Sequence, residues 1–380
     1  MDAIADMAGL PFDTEAFLTR LRDWVECESP TFESHAVERM LDLACEDLAL
    51  LGAAIERIPG RDGFAGCRRA RLPHRRPGKG ILLLGHLDTV HPIGALAALP
   101  WRHEGARVYG PGIQDMKSGV LLYLEALAML ARAGIETPLP VTVLLTPDEE
   151  VGSPSTRALI EAEARGHRAV LVPEPASQGG GCVTGRYAIA RFRLETTGKP
   201  SHAGAALSAG RSAIAAMARR ILAVEAMTGP DCTFSAGVVR GGRWVNCVPT
   251  RCEAEVLTMA KRQADLDAAV ARMMALAGED GSGVALRVER GVTRPVWEPD
   301  AACRALHRQA QAVAAGLGLK LPGTSAGGGS DGNFTGALGV PTLDGLGAEG
   351  AGLHTLEEHI LWESLPRRAR LAAGLMAAIR

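Results

Sequence analysis

Short runs of Leu, Val and Ile, each stopping at a histidine or a carboxylate, set the main constraint on this chain. Ile81-Leu-Leu-Leu84 runs into Gly85-His86-Leu87-Asp88, and Val141-Thr-Val-Leu-Leu145 into Thr146-Pro-Asp-Glu149-Glu150. Ala169-Val-Leu-Val172 does the same into Pro173-Glu174-Pro175. Near-continuous apolar runs of this kind read as strands buried on both faces. Residues 117–133 and 155–165, between them, carry a helical pattern, and this alternation predicts an α/β fold with a mixed, largely parallel sheet. In such sheets ligands bind in the crevice beyond the carboxyl ends of the strands. The polar residues at the three strand ends are therefore expected to converge there.

Upstream, residues 14–27 (Phe17, Leu18, Leu21, Trp24, Val25) and 36–51 (Val37, Met40, Leu41, Ala44, Leu48) predict two amphipathic helices. Arg68 to Arg76 reads as a turn-rich, arginine-rich connection. Composition shifts at Gly179-Gly-Gly181, and the following stretch changes character. Strands are predicted over 188–195, 232–239, 250–259 and around Val284–Val288, with helices over 208–227 and around Leu266–Met274. That βαββαβ order, with alternating polar faces, predicts a ferredoxin-like unit covered on one side by its two helices. Beyond Gly291 the earlier style returns, with a helix at 300–316, a strand at 340–343 and a helix at 364–379. A chain of 380 residues exceeds what one core usually organises. The expected layout is one domain built from 1–180 and 292–380, with 181–291 inserted as a second.

Forty-one basic residues balance 43 acidic ones, for a formal charge of −2. With no long basic run, neither nucleic acid nor an anionic membrane is an implied partner, which leaves a small molecule. No stretch is apolar for long enough to predict a transmembrane helix. The acidic start Met1-Asp-Ala-Ile-Ala-Asp6 lacks the basic and apolar regions of a cleaved secretion signal. Eight cysteines are scattered without a Cys-x-x-Cys pair, fitting neither a thiolate zinc site nor a disulfide framework. They are expected to be reduced thiols in the cytoplasm.

A catalytic zinc takes imidazole nitrogen and carboxylate oxygen and keeps a position open. Two such ions, roughly 3.5–4 Å apart, need a shared carboxylate. His86 and Glu174 can serve one ion and Glu150 and His354 the other, with Asp115 of Gly110-Pro-Gly-Ile-Gln-Asp115 bridging them. Asp88, two residues beyond His86, is expected to accept the other imidazole N–H and fix the ring. Glu149, next to Glu150 but not consumed as a ligand, is the candidate general base that activates a metal-bridged water. Singly, each of these acids would be read as a solvated loop residue and each histidine as a surface one. Their joint position at strand ends, on loops stiffened by Pro147, Pro173 and Pro175, is what predicts a metal site.

Several segments, in one order across nearly the whole chain, resemble the family of two-zinc exopeptidases and amidohydrolases. They are Gly85-His86-Leu-Asp88-Thr-Val90, Gly112-Ile-Gln-Asp115-Met-Lys117, Asp148-Glu149-Glu150-Val-Gly-Ser153, Glu174-Pro175, Gly198-Lys-Pro-Ser-His202-Ala-Gly204 and Asn246-Cys-Val-Pro249. The family includes glutamate carboxypeptidase, to which the motifs are most similar, together with acetylornithine deacetylase and succinyl-diaminopimelate desuccinylase. The resemblance implies a cytoplasmic homodimer with two zinc ions, or cobalt or manganese in their place, and an inserted lid through which it dimerises. It also implies hydrolysis of an amide or peptide bond in an N-acyl amino acid or short peptide, next to a carboxylate-bearing amino acid. His202 would hold the substrate carbonyl or its oxyanion in the active site of the other subunit. Asn246, Arg294, Gly329 and Ser330 would contact substrate, with Arg294 matching a free carboxylate. Leu257 stands where some glutamate-preferring members carry an arginine, which turns the expected preference toward a more apolar group.

Two rival readings remain. Gly328-Gly-Ser330-Asp-Gly332 matches a nucleophile elbow, and Asp344 and His354 follow in the order of α/β-hydrolases, which would make a serine hydrolase. The segment before it, 321–326, does not read as the buried strand an elbow needs. The other rival is a non-catalytic metal-binding dimer of the same fold. Glu149 and His202, dispensable for holding metal, favour an enzyme.

Overall fold

The computed structural model describes residues 7–279 and 281–380; Met1–Asp6, on which the expectation about a secretion signal rests, lies outside them. The chain forms two compact units. The first runs to Gly185 and resumes with Trp297–Ala326 and Ser330–Arg380, whereas the second is Arg186–Val296 with Gly327–Gly329.

The chain opens with α1 (Thr14–Glu26), α2 (Ser34–Leu50), β1 (Ala54–Ile58), β2 (Cys67–Arg71), β3 (Ile81–His86), β4 (Arg102–Glu104) and β5 (Arg107–Tyr109). It continues with α3 (Ser118–Arg132), β6 (Val141–Thr146), α4 (Arg157–Arg165), β7 (Ala169–Leu171) and β8 (Cys182–Arg186). The second unit holds β9 (Ala188–Thr197), α5 (Ala213–Glu225), β10 (Cys232–Gly241), β11 (Arg251–Ala260), α6 (Gln263–Met274), β12 (Gly278–Glu279) and β13 (Ala285–Arg294). The chain closes with α7 (Ala301–Gly316), β14 (Gly323–Ala326), α8 (Gly332–Ala337), β15 (Thr342–Leu343), β16 (Gly350–Ala351), β17 (His359–Leu361) and α9 (Leu365–Ala378).

The main sheet of the first unit has the order β1-β2-β6-β3-β7-β15. β6, β3, β7 and β15 run parallel, and β1 and β2 add an antiparallel edge. Every residue of β3 and β6 is buried, as their almost wholly apolar sequences, interrupted only by Thr142 before the strand ends, require. Helix α3 is buried along most of its length and starts hard against the loop after β7. A side chain at Gly119 would collide with Pro173 O, and so would one at Gly347. Glycine at both positions lets two backbones close on the Pro173–Glu174 loop.

The arginine-rich stretch is not a turn throughout, because Cys67–Arg71 is strand β2. Its charges are absorbed by partners the local sequence does not display: Arg68 binds Glu38 and Asp42 of α2, and Arg69 binds Glu56 and Glu163. Helix α5 also starts later than its periodicity suggests. Ser212 caps it by accepting from Ala215 N at 3.1 Å, and 207–209 forms a separate turn.

In the second unit the strands order β10-β11-β9-β13-β12, all antiparallel. Phe192, Leu194, Phe234, Val256, Leu266 and Met273 share its core. A small sheet in the first unit, β16-β17-β5-β4, is less conspicuous but sets two loops side by side. Gly110–Asp115 leaves β5, and 352–358 leads into its neighbour β17. Among the described residues, no helix is long and apolar enough to cross a membrane.

Candidate metal centre

His86 closes β3, and Glu149 and Glu150 follow the end of β6. Glu174 follows β7, so three parallel strands deliver donors to one end of the sheet. Asp115 comes from the loop after β5, and His354 from the loop before β17 with a φ of 61°. That left-handed backbone is unfavourable for a residue with a Cβ, and such conformations concentrate at functional sites.

Asp115 lies between the two imidazoles. Its Oδ1 is 3.1 Å from His86 Nε2 and its Oδ2 is 3.2 Å from His354 Nε2. Glu174 Oε1 stands 3.7 Å from His86 Nε2, and Glu150 Oε2 stands 3.3 Å from His354 Nε2. Donors about 2.0–2.1 Å from a tetrahedral zinc stand roughly 3.3 Å from one another. The four spacings therefore fit two ions sharing Asp115, with His86 and Glu174 on one side and Glu150 and His354 on the other. Glu149 Oε2 is 3.9 Å from His86 Nε2, close enough to group with His86 and Glu174 as a possible donor, yet the loosest of these contacts.

Electrostatics agree with a site built for cations. Burial pushes the Glu150 carboxyl up to about 8, with the charge of Asp115 adding to it. Glu174 is driven well above the carboxylate range by burial and then by Asp115. The His354 imidazole is raised to about 10 by its bonds to Asp115 and Glu150. Burial opposes charge on His86, but Asp115 and Asp88 outweigh it and hold its pKa well above the usual value. Burial likewise opposes charge on Asp115, and the two histidines hold it well below the usual range. Without cations, protons are retained to balance the crowded carboxylates, and two divalent ions would displace them.

Asp88 is fully buried, and its role differs in detail from the expected one. His86 Nδ1 is nearer the main-chain oxygen of Asp88, at 3.0 Å, than its Oδ1, at 3.4 Å. The carboxylate is occupied elsewhere, accepting from Glu149 N and Glu150 N at 3.2 Å each and from Thr31 Oγ1 at 2.7 Å. It thus ties the β3 end to the β6 loop. Thr31 and Glu358, which accepts from the backbone of 112–115, are site-shaping residues that sequence reasoning missed. Neither follows an apolar strand nor sits in a resembling segment.

The remaining expected residues are not among these donors. In the second unit, exposed His202 pairs through a bridge with Cys247, and Ala203 N donates to Asn246 O at 3.0 Å, bringing those two loops together. Buried Arg294 packs against Gly329, where a side chain would press on its Cδ. Ser330 is fully buried, and its hydroxyl donates to Asp344 Oδ2 at 2.6 Å and accepts from Gly332 N at 2.8 Å. This corrects the serine-hydrolase reading: serine bonds the aspartate directly with no histidine between them, while His354 faces Asp115 and Glu150.

A largely parallel α/β sheet with imidazoles and carboxylates clustered beyond its carboxyl ends defines a metallohydrolase. The chain belongs to peptidase family M20/M25/M40, whose model matches residues 82–378. It is 30% identical to carboxypeptidase G2 of Pseudomonas sp. (strain RS-16), over 95% of this chain and 88% of that protein. It is 26% identical to succinyl-diaminopimelate desuccinylase of Acidovorax ebreus, over 84% of this chain and 88% of that protein. The fold matches an M20 family metallo-carboxypeptidase of Sulfolobus solfataricus with a TM-score of 0.77 and 14% identity, over 95% of this chain and 98% of that one. The protein is accordingly a hydrolase of the metallopeptidase and amidohydrolase class.

Proposed function

We propose that this protein is a two-zinc hydrolase cleaving an amide or peptide bond next to a carboxylate-bearing amino acid, as a carboxypeptidase or an N-acyl-amino-acid deacylase. The observation that carries this reading is the Asp115 carboxylate, with one oxygen toward His86 and the other toward His354. His86, Glu174, Glu150, His354 and Asp115 would hold the ions, with cobalt or manganese able to replace zinc. When bound, the ions supply Lewis-acid stabilisation of the developing oxyanion and a lowered pKa for water.

The protein's own groups do the rest. Glu149 takes the proton of the attacking water and returns it to the leaving amine. Asp88, holding the Glu149 and Glu150 amides, keeps the base and its neighbouring ligand in register. His202 Nδ1 accepts from Gly204 N at 3.2 Å and Ala205 N at 3.1 Å. That leaves the proton on Nε2, which supports His202 as an oxyanion donor. The Arg186–Val296 unit, whose β-α-β-β-α-β order is ferredoxin-like, acts in this reading as lid and dimerisation domain. Asn246, Arg294 and Gly329 contribute to substrate binding, and the similarity to carboxypeptidase G2 favours an amino acid bearing a free carboxylate. None of the eight cysteines is in a disulfide, in keeping with the cytoplasm.

A screen of N-acyl amino acids and dipeptides with zinc-reconstituted protein tests the reading. Hydrolysis that a chelator abolishes and two equivalents of zinc restore is the expected result. Two bound ions without turnover of any substrate would instead mark a non-catalytic metal-binding dimer.

A further inference from the structure

The Glu358 carboxylate is 1% exposed and accepts four hydrogen bonds. Gln114 N at 2.8 Å and Asp115 N at 3.0 Å donate to Oε1, and Gly112 N at 3.0 Å and His91 Nε2 at 2.6 Å meet Oε2. A carboxylate has about four lone-pair positions, so its capacity is filled. Three of the donors are amides of the 112–115 segment that ends at Asp115, and its remaining amide, Ile113 N–H, goes to Gly110 O. Glu358 also lies four residues after His354, on the loop that carries it, and one residue before β17, which pairs with β5. One buried anion therefore joins the two loops that supply Asp115 and His354.

We infer that Glu358 is a positioning residue, with His91 as its helper, that fixes the carboxylate plane of Asp115 so that each oxygen faces a different ion. The inference rests on the reading of Asp115 as the shared ligand. A backbone that pivots at 112–115 would swing both oxygens together, so disturbing Glu358 weakens both ions rather than one. Glu358→Gln is the discriminating change, because it keeps size and shape. Whichever way the amide turns, its NH2 faces a pair of donors, either Gly112 N with His91 or Gln114 N with Asp115 N.

The test compares wild type, Glu358→Gln and His91→Gln by zinc content against graded chelator and by the visible spectrum of cobalt-loaded protein. Fold is checked by circular dichroism, and kcat and KM are measured at saturating zinc. Glu358→Gln is expected to release both ions at roughly 10–100-fold lower chelator concentration, to shift the cobalt bands, and to lower kcat with KM little changed. His91→Gln is expected to move in the same direction by a smaller factor, and carries the test should Glu358→Gln fail to fold. Wild-type zinc affinity and cobalt spectrum in both variants would overturn the inference. Wild-type protein holding fewer than two ions would instead overturn the two-ion reading on which it rests.

Discussion

Glu149 and Glu150 are neighbours in sequence, and the proposed division of duties between them rests on what each carboxylate meets. Glu150 stands 3.3 Å from His354 and shares that imidazole with Asp115. Glu149 is buried but reaches only to 3.9 Å from His86. A base must be free to gain and lose a proton during the cycle, which a ligand cannot do. Glu149→Gln is therefore expected to lower kcat by about 10²–10⁴-fold while metal analysis still finds two zinc ions per chain. Loss of zinc together with activity would make Glu149 a ligand. The sequence displays these residues because each follows a run of apolar residues that could only be a buried strand. Thr31 and Glu358 are invisible by the same logic: they bond groups 57 and 243 positions away or more, and nothing local distinguishes them from solvated loop residues.

Among elements, the outer edge of the main sheet was the hardest part to read. β2 is Cys67-Arg-Arg-Ala-Arg71, a composition that suggests a loop until its partners are known. Arg68 is 2% exposed and bonds Glu38 and Asp42, so it clamps α2 onto β2. Burial would raise both carboxyls, but Gly66 N and Arg68 on Glu38, and Arg68 and Arg57 on Asp42, hold both below the usual range. A carboxyl depressed in the folded state stabilises the fold above its unfolded pKa, and that contribution is lost as pH falls. Arg68→Met is expected to cost about 1–3 kcal/mol at pH 7, a modest figure because water can reach both carboxylates once the arginine is gone. The gap between variant and wild type should then narrow as pH falls below about 4, as denaturant titrations at the two pH values would measure. A gap independent of pH would assign the loss to packing of the arginine stem alone. By contrast β3, β6 and β7 were legible, because parallel strands buried on both faces leave little room for polar residues before the strand ends, and Thr142 alone interrupts them.

At the scale of the whole molecule, the order of motifs carried the family, whereas the geometry of assembly lay outside what one chain displays. His202 belongs to the second unit, and its Nδ1 is already committed to two backbone amides. Its other nitrogen carries the Nε2 N–H, and in the proposed role that N–H donates a hydrogen bond in the partner's active site. In a symmetric dimer such an arrangement makes each site a composite of two chains. Two inactive variants should then repair one another. Glu149→Gln supplies an intact His202, and His202→Ala supplies an intact Glu149, so a mixed dimer contains one complete site and one that lacks both groups. Co-expression with two different tags and tandem purification isolates that mixed dimer. About half the wild-type kcat per dimer is expected, set against the near-silent parent variants. Activity no greater than the mean of the two parents would confine His202 to its own chain or remove it from the reaction, and failure to recover any doubly tagged species would remove the dimer itself.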